Sequence, residues 1–285
     1  MRPAPFQYSR PETLEQALQA ILSGAVPLAG GQSLIQSMRL RSAEPTSIVD
    51  LNAVRDLSSE IECDREVVKI GALATHRQLA ENPTVQHEFP WLAKAATELG
   101  DVQIRNRGTV LGNVCWADPR ANMAVALLAS DAIIHTTSTT KNCNLELIHI
   151  GDFFNGFRSN VLEAQLAISI ELARKPNTIG SYIEFSRQRQ DLALCNVCVV
   201  HRDRTTAIAV GGIAQQPIRL TQLELVLRKQ GLSQKLSATQ IGQAIEGSHL
   251  EAIDDQFGTS AFKQHLAATL IQRAIAKCID GGDHA

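Results

Sequence analysis

The chain has 285 residues, which is long for one average domain and suits two. An apolar content of 44% and a charged content of 20% are those of an ordinary globular protein. The net charge of 27 − 29 = −2 argues against nucleic acid binding, and no run approaches the roughly 18 apolar residues of a membrane span, so we expect a cytoplasmic protein.

The N-terminal part alternates strands and helices. We predict strands over 6–8, 26–29 and 47–51, a helix opened by Pro11, and a helix that starts at Leu34. Between the second strand and the second helix lie residues 29–33, Ala-Gly-Gly-Gln-Ser, which we call the first glycine segment. Glycine permits positive φ and close backbone approach, and N–H groups at a helix start favour an anion. An ordinary turn is the alternative reading of two adjacent glycines.

The middle of the chain leads to a second such stretch. A hairpin is predicted over 60–63 and 67–70, a helix capped by Thr75, and a helix over 91–99. Residues 100–113, the second glycine segment, are predicted to form a loop. Arg105 and Arg107 within it either pair with carboxylates or are solvated. An Ala-rich helix that Asp118 caps should follow, then strands over 131–136, 145–150 and 166–172 and a turn over 152–157.

A polar junction at Lys175-Pro176-Asn177 marks a predicted domain boundary. Beyond it the pattern predicts strands over 181–186, 193–200 and 205–210, then helices over 220–229, 239–246 and 260–278. Strands followed by helices indicate an α+β fold.

The six cysteines are scattered, as in a protein without a disulfide framework. Cys195 and Cys198 lie in an apolar run whose period of two would place them on opposite faces of a strand. We favour buried core thiols over a metal or iron–sulfur site, which would need more thiolates nearby. No metal site is predicted.

Motifs of known catalytic machinery are absent. The chain has no Gly-x-Ser-x-Gly elbow, no His-Glu-x-x-His helix and no Gly-x-x-x-x-Gly-Lys-Ser/Thr loop, and its histidines are dispersed and read as structural. We therefore predict no catalytic side chain, and we expect a bound cofactor to carry any chemistry.

Several motifs in order carry a family resemblance. They are the residues at 29–34, Ile48-Val49-Asp50-Leu51, Ile70-Gly71-Ala72, those at 100–109, Gly112-Asn113, Ala117-Asp118-Pro119, those at 127–132 and Asp152-Phe153-Phe154-Asn155-Gly156. Together they resemble the FAD-binding medium subunit of the molybdenum hydroxylases, the xanthine dehydrogenase and carbon monoxide dehydrogenase family. The resemblance spans essentially the whole chain.

The resemblance implies an α+β protein with the two-subdomain FAD-binding fold (PCMH-type) of the molybdopterin dehydrogenases. Residues 1–55 would form its first subdomain, 56–176 its second, and 177–285 a smaller α+β C-terminal domain. FAD would bind non-covalently between the subdomains. The implied FAD-binding residues are Leu28, Ala29, Gly30, Gly31, Gln32, Ser33, Leu34, Thr109, Leu111, Gly112, Asn113, Asp118, Asn122 and Tyr182.

The resemblance also implies partners. A large molybdopterin subunit and a small subunit with two [2Fe-2S] clusters would complete a dimer of heterotrimers. Electrons from an N-heteroaromatic compound, an aldehyde or CO would pass through the clusters and FAD to an external acceptor.

Three residues depart from the family pattern. Leu111 replaces a glycine, so its position must tolerate a side chain and negative φ; Asn122 stands where an acidic residue is common, and Ile183 where some members have lysine. Leu111 supports the alternative of a scaffold protein that keeps the fold without redox cycling. A covalent FAD oxidase is disfavoured, because the first glycine segment has no His or Cys for a flavin bond.

Overall fold

The computed structural model describes residues 2–138, 145–232, 236–247 and 253–283. Helices and strands are mixed throughout these ranges, which confirms the α+β class. The described strands form three sheets of three or more strands and one small hairpin. None of the described helices is both long enough and apolar enough to cross a membrane.

The N-terminal sheet is parallel and leads into the first glycine segment. Its strands are β1 (Gln7–Ser9), β2 (Val26–Leu28) and β3 (Ser47–Asp50), with β3 in the middle. The helices α1 (Leu14–Leu22) and α2 (Leu34–Arg39) follow β1 and β2. Because β2 ends at Leu28 and α2 begins at Leu34, the first glycine segment joins a strand end to a helix start, as predicted.

The central sheet is antiparallel and packs against a layer of helices. Its strands are β4 (Ile61–Cys63), β5 (Val67–Gly71), β6 (Ile133–Thr137), β7 (Leu145–His149) and β10 (Leu166–Ala173), in the order β4-β5-β10-β6-β7. A hairpin of β8 (Phe154–Gly156) and β9 (Ser159–Asn160) lies between β7 and β10 in the chain. The helices are α3 (His76–Glu81), α4 (Pro83–Glu88), α5 (Pro90–Glu98), α6 (Val102–Arg107), α7 (Val110–Trp116) and α8 (Asn122–Ala129). All residues of α8 are buried, so the helix lies inside the molecule.

The C-terminal part is an antiparallel sheet followed by helices. Its strands, in sheet order, are β11 (Ile179–Phe185), β12 (Cys195–Arg202), β13 (Thr205–Gly211) and β14 (Ile218–Arg219). Its helices are α9 (Thr221–Gln230), α10 (Ala238–Glu246) and α11 (Ser260–Ile279). One face of this sheet joins a hydrophobic core with these helices, and the other face joins the core of the central sheet.

The prediction of a loop over 100–113 is wrong, because α6 and α7 occupy most of it. Each helix begins at a side-chain cap. The Asp101 carboxylate accepts a hydrogen bond from the N–H of Ile104 at 2.8 Å, and the Thr109 hydroxyl accepts one from the N–H of Gly112 at 3.2 Å. Since caps of this kind stabilise a helix start, Asp101 and Thr109 are the signals that the loop interpretation overlooked.

Asp118 does not cap the helix that follows it, so this prediction is also wrong. The helix α8 begins at Asn122 after Ala121, without a side-chain cap. The Asp118 carboxylate instead accepts hydrogen bonds from Arg120 and Arg158. The carboxylate therefore binds two arginine side chains and one backbone donor, the N–H of Arg120 at 3.1 Å, rather than the first turn of α8.

Three of the described cysteines, Cys195, Cys198 and Cys278, are buried core residues, whereas Cys63 is exposed and Cys115 is half-buried. Cys195 packs in the C-terminal core and Cys198 in the core shared with the central sheet, so they occupy opposite faces of β12 as predicted. Burial raises the pKa of the Cys195 thiol to about 12. Cys63, Cys115 and Cys278 are also free thiols, whereas Cys143 lies outside the described residues.

A glycine–tryptophan contact joins the central helices to the C-terminal sheet. Trp91 in α5 is 1% exposed, and its indole N–H donates to the Ser130 hydroxyl at 2.9 Å. A Cβ on Gly180 of β11 would lie 2.4 Å from ring atoms of Trp91. The strand can approach the indole this closely only because residue 180 has no side chain.

We expect Gly180→Ala to lower the free energy of unfolding by about 1–3 kcal/mol, since the buried indole must shift. Gly242→Ala is the matched control: this residue lies in α10 with no atom within 4 Å of an added Cβ. Alanine should stabilise that helix by up to about 1 kcal/mol. Urea unfolding of both variants measures the two effects, and an equal response to both substitutions would contradict the tight contact.

Candidate functional site

A cavity of about 750 Å³ opens between the N-terminal sheet and the helices of the central sheet. Its volume is within the roughly 300–1,000 Å³ range of ligand sites. The predicted site residues that line it are Leu28, Ala29, Gly30, Gly31, Gln32, Ser33, Leu34, Thr109, Leu111, Gly112, Asn113, Asp118 and Asn122. The structure therefore brings the two glycine segments together around one space. Tyr182 does not line it.

The two glycine segments touch at Gly30. A Cβ on this residue would lie 2.1 Å from the carbonyl oxygen of Arg107 and 2.8 Å from the Cα of Gly108. Both contacts are with backbone atoms, which cannot move aside as a flexible side chain would. Glycine at position 30 is thus required for the crossing, and the neighbouring Gly31 has a positive φ of 74°.

The first glycine segment offers free backbone donors to the cavity. In the described part of the chain, no acceptor takes a hydrogen bond from the N–H groups of Gly31, Gln32 or Ser33. The Ser33 side chain makes no cap hydrogen bond to α2 either. A run of free N–H groups on a concave surface is suited to the oxygens of a diphosphate.

The second glycine segment forms part of the cavity wall but offers few free backbone donors to it. Val110 N–H donates to the carbonyl of Ala74 at 2.9 Å, and Asn113 N–H donates to the carbonyl of Thr109 at 3.0 Å. The N–H of Gly112 is taken by the Thr109 hydroxyl, which a Cβ on Gly112 would approach to 2.5 Å. Its amides are thus less available to a ligand than those of the first segment.

Leu111 is accommodated without strain. The residue lies in α7, has a negative φ and is 2% exposed, packed within the core as well as facing the cavity. The prediction of negative φ at this position is confirmed.

Two buried polar atoms in the wall lack partners. They are Oδ1 of Asn113 and Nδ1 of His76, which make no hydrogen bond with any residue that the structure describes. Buried polar atoms in native proteins nearly always have a partner, so these atoms indicate that a polar ligand completes the wall.

The sequence analysis interpreted His76 as a structural residue. The structure shows that it also lines the cavity. Its backbone N–H, not the ring, donates to the carbonyl of Gly108, within the second glycine segment, at 3.0 Å. Burial, with the nearby Arg105 guanidinium, lowers the pKa of the imidazole to about 4, so the ring is neutral at pH 7. No local pattern reveals this role, because it depends on the bridge between Thr75 and Thr109.

Asp118 holds two arginines beside the cavity. Its carboxylate accepts hydrogen bonds from Arg120 at 3.1 Å and Arg158 at 3.1 Å. Burial opposes its ionisation, but these hydrogen bonds outweigh that effect and lower the pKa of Asp118 below its usual value. Arg158 also lies over the rings of Trp116 and Phe157, at 5.3 and 5.2 Å from their centroids. Arg158 lines the cavity and was not predicted from the sequence.

Asn122 and Tyr182 belong to one buried polar cluster. Asn122 is 4% exposed at the cavity wall, and its amide donates to the Glu184 carboxylate at 2.7 Å. Tyr182 is fully buried, and its hydroxyl donates to the same carboxylate at 2.9 Å. Ile183 packs against the C-terminal core.

Among the described residues, no cluster of three or more His, Cys, Asp and Glu side chains is arranged to hold a metal ion.

The residues present fit an extended cofactor with a diphosphate such as FAD. The free amides of the first glycine segment suit the diphosphate, and the unpartnered atoms of Asn113 and His76 suit polar groups elsewhere on the ligand. A Cβ on Gly30 would meet the backbone of Arg107 and Gly108, so this position cannot carry a His or Cys anchor for a covalent flavin bond.

Two family models match the chain. The model described as the FAD binding domain in molybdopterin dehydrogenase matches residues 4–172. The model described as the CO dehydrogenase flavoprotein C-terminal domain matches residues 180–278.

Individual relatives match along almost their whole length. The chain is 29% identical to the 6-hydroxypseudooxynicotine dehydrogenase complex subunit alpha of Paenarthrobacter nicotinovorans, covering 98% of this chain and 96% of the relative. It is 29% identical to the glyceraldehyde dehydrogenase medium chain of Sulfolobus acidocaldarius, covering 96% and 98%. Among solved structures, carbon monoxide dehydrogenase from Hydrogenophaga pseudoflava matches with a TM-score of 0.87 and 26% identity, covering 97% of this chain and 98% of that one.

We expect Gly31→Val to abolish most flavin binding, because a β-branched residue strongly disfavours the positive φ that aims the amides of this segment. An affinity loss of at least about tenfold corresponds to about 1.4 kcal/mol. Gly231→Val is the matched control, since Gly231 has a φ of 83° and open space around it at the end of α9. Flavin absorbance of the purified variants measures occupancy, and full occupancy in Gly31→Val would refute the role of the segment.

The stability should also depend on the protonation of His76. Between pH 6.5 and about 4, the unfolded chain binds a proton at this residue that the folded chain does not, so stability falls as the pH drops through that window. The loss reaches about 3 kcal/mol at the acid end. We expect His76→Gln to flatten this part of the stability profile, and His87→Gln, at an exposed position, to leave it unchanged. Parallel profiles for wild type and His76→Gln would contradict the burial of a neutral imidazole.

Proposed function

Because the chain belongs to the family of FAD-binding subunits of the molybdopterin dehydrogenases, we propose that it binds one FAD non-covalently in the cavity and relays electrons through it. The observation that carries the proposal is the run of free amides at Gly31, Gln32 and Ser33, facing a cavity that the second glycine segment closes. Bound FAD supplies the capacity to accept and release one or two electrons.

The chain's own residues would bind and orient the cofactor. The three amides and the Ser33 hydroxyl would hold the diphosphate, and Asn113 and His76 would satisfy polar groups of the ligand. Arg158, fixed by Asp118, places a positive charge at the cavity. None of these groups is arranged as a nucleophile with a base, so their role is binding rather than acid–base chemistry.

We also propose a division into three parts, with residues 1–55 and 56–176 as FAD-binding subdomains and 177–285 as the C-terminal domain. The three sheets support it, since β1 to β3 precede residue 55, β4 to β10 lie within the second range, and β11 to β14 lie within the third. In this division both subdomains contribute to the cavity.

The electrons would come from a partner. We propose a large molybdopterin subunit and a small subunit with [2Fe-2S] clusters, assembled as a cytoplasmic dimer of heterotrimers, with an external acceptor. The names of the relatives support the assembly, because they are called a subunit of a complex and a medium chain. The compounds in those names include an N-heteroaromatic alkaloid derivative, an aldehyde and CO. We propose that this complex oxidises one compound of these classes at a site on another chain.

Anaerobic reduction tests the relay. The purified chain should be yellow from bound oxidised flavin and should stay oxidised with candidate N-heteroaromatic compounds, aldehydes or CO. The complex purified from its source should bleach with the right compound, because electrons then reach the flavin from the partner. Acid precipitation should release the flavin into the supernatant. Bleaching of the isolated chain by a substrate would place the catalytic site in these 285 residues and overturn the proposal.

A further inference from the structure

The Asn122 amide has one defined orientation. Its Nδ2 donates one hydrogen bond to the carbonyl oxygen of Ala95 at 3.2 Å and another to Oε2 of Glu184 at 2.7 Å. Both N–H groups are therefore used inside the protein. In the described part of the chain no group donates to Oδ1, and Oδ1 is not among the buried atoms without a partner. The amide thus presents an accepting oxygen, and no donor, to the cavity that Asn122 lines.

Residues that do not line the cavity hold Glu184 in place. Its Oε2 also accepts the Tyr182 hydroxyl at 2.9 Å, and that hydroxyl accepts a hydrogen bond from Asn196 at 3.2 Å. Neither Glu184 nor Tyr182 lines the cavity. Residues of β11 and β12 therefore determine how a side chain of α8 faces the ligand.

We propose, resting on the FAD assignment, that Glu184 is a positioning residue for the cofactor site. It fixes the Asn122 amide so that its oxygen accepts a hydrogen bond from an N–H or O–H group of bound FAD. In this arrangement the neutral Asn122 side chain contacts the ligand, and the Glu184 carboxylate accepts a hydrogen bond from the Asn122 amide without contacting the ligand.

The charges around Glu184 explain why the pair consists of one neutral side chain, that of Asn122, and one acidic side chain, that of Glu184. Burial raises the pKa of Glu184 to about 7, with Glu98 of α5 adding to the rise, while Tyr182, Asn122 and Lys94 oppose it. A carboxylate at position 122 would stand about 2.7 Å from Glu184, since that is the present distance from the Asn122 amide. Two carboxylates so close cannot both ionise, so an acidic residue at 122 would share one proton with Glu184 and could not donate to both Glu184 and Ala95 as the Asn122 amide does.

Exchanging the amide and the carboxylate between positions 122 and 184 tests the proposal. The proteins are wild type, Asn122→Asp, Glu184→Gln and the double variant, each stripped of flavin and titrated with FAD while the quenching of flavin fluorescence is followed. We expect Asn122→Asp to weaken FAD binding at least about tenfold and Glu184→Gln to weaken it up to about threefold. The double variant should recover part of that loss, because the new amide donates to the new carboxylate, while the carbonyl of Ala95 loses the donor it had in wild type. Glu246→Gln, at an exposed position of α10, is the control and should bind FAD as wild type does.

The thermal stability of each flavin-free protein separates positioning from folding. A rescue of FAD affinity in the double variant, with similar melting temperatures for the single and double variants, supports positioning. Equal weakness of Asn122→Asp and the double variant, or no effect of Asn122→Asp, overturns it. If wild type itself binds no FAD, the proposed function fails instead, so the two failures are distinguishable.

A truncation pair keeps the proposal testable if Asn122→Asp does not fold. Glu184→Ala should weaken FAD binding about tenfold in the wild-type background, because the amide is then free to rotate. In the Asn122→Ala background it should weaken binding no further, since no amide remains to be oriented. Additive losses would overturn the proposal.

Discussion

The cavity depends on one backbone contact, the crossing of Gly30 over Arg107 and Gly108. The nearest atoms that a Cβ would meet there are backbone atoms, so any side chain at position 30 would push the two segments apart. The contact joins a loop of the N-terminal sheet to the turn between α6 and α7 of the central part. It places the first glycine segment against the turn that precedes α7. Close packing of this kind cannot be relaxed by rotamer changes, which is why the geometry is strict.

The far wall is held by a different part of the chain. Among the described residues, three hydrogen bonds join the stretch 118–122 to the C-terminal sheet and to Gly212, which follows β13. The N–H of Gly212 donates to the carbonyl of Pro119 at 2.9 Å, Asn196 donates to the carbonyl of Arg120 at 3.0 Å, and Glu184 accepts from Asn122. The C-terminal part adds few residues to the cavity, yet it sets the position of the segment that carries Asp118 and Asn122. Loss of that docking would alter the site without touching a ligand contact.

The sequence was sufficient where the information is local. Apolar runs and the Gly-Gly pair placed β2, the first glycine segment and α2 correctly, because a strand end, a turn and a helix start are each encoded within a few residues. The second segment was misread since its polar residues hid the caps at Asp101 and Thr109. Here the capping side chains outweighed a composition that is typical of loops.

What the sequence could not predict depends on distant partners. Asp118 has the chemistry of a helix cap, and only the fold shows that Arg158, forty positions away, binds it instead. His76 reaches the cavity because Thr75 bridges Thr109, and Glu184 reaches Asn122 across 62 positions. Each of these side chains is ordinary in its local context. The family pattern indicated Asn122, but it did not indicate Glu184, the carboxylate that accepts a hydrogen bond from the Asn122 amide.

Leu111 was the strongest sequence argument for a scaffold without a working flavin site, and its position removes that argument. A side chain that filled the site would have to project into the space that the diphosphate needs. Leu111 is instead 2% exposed, packs in the core and lies on a helix with negative φ, while about 750 Å³ of cavity remains. The glycine that other members use here is thus not needed for backbone conformation in this chain. The segment keeps its helix through the Thr109 cap, and the free amides that suit an anion lie on the opposite segment, where both glycines are retained.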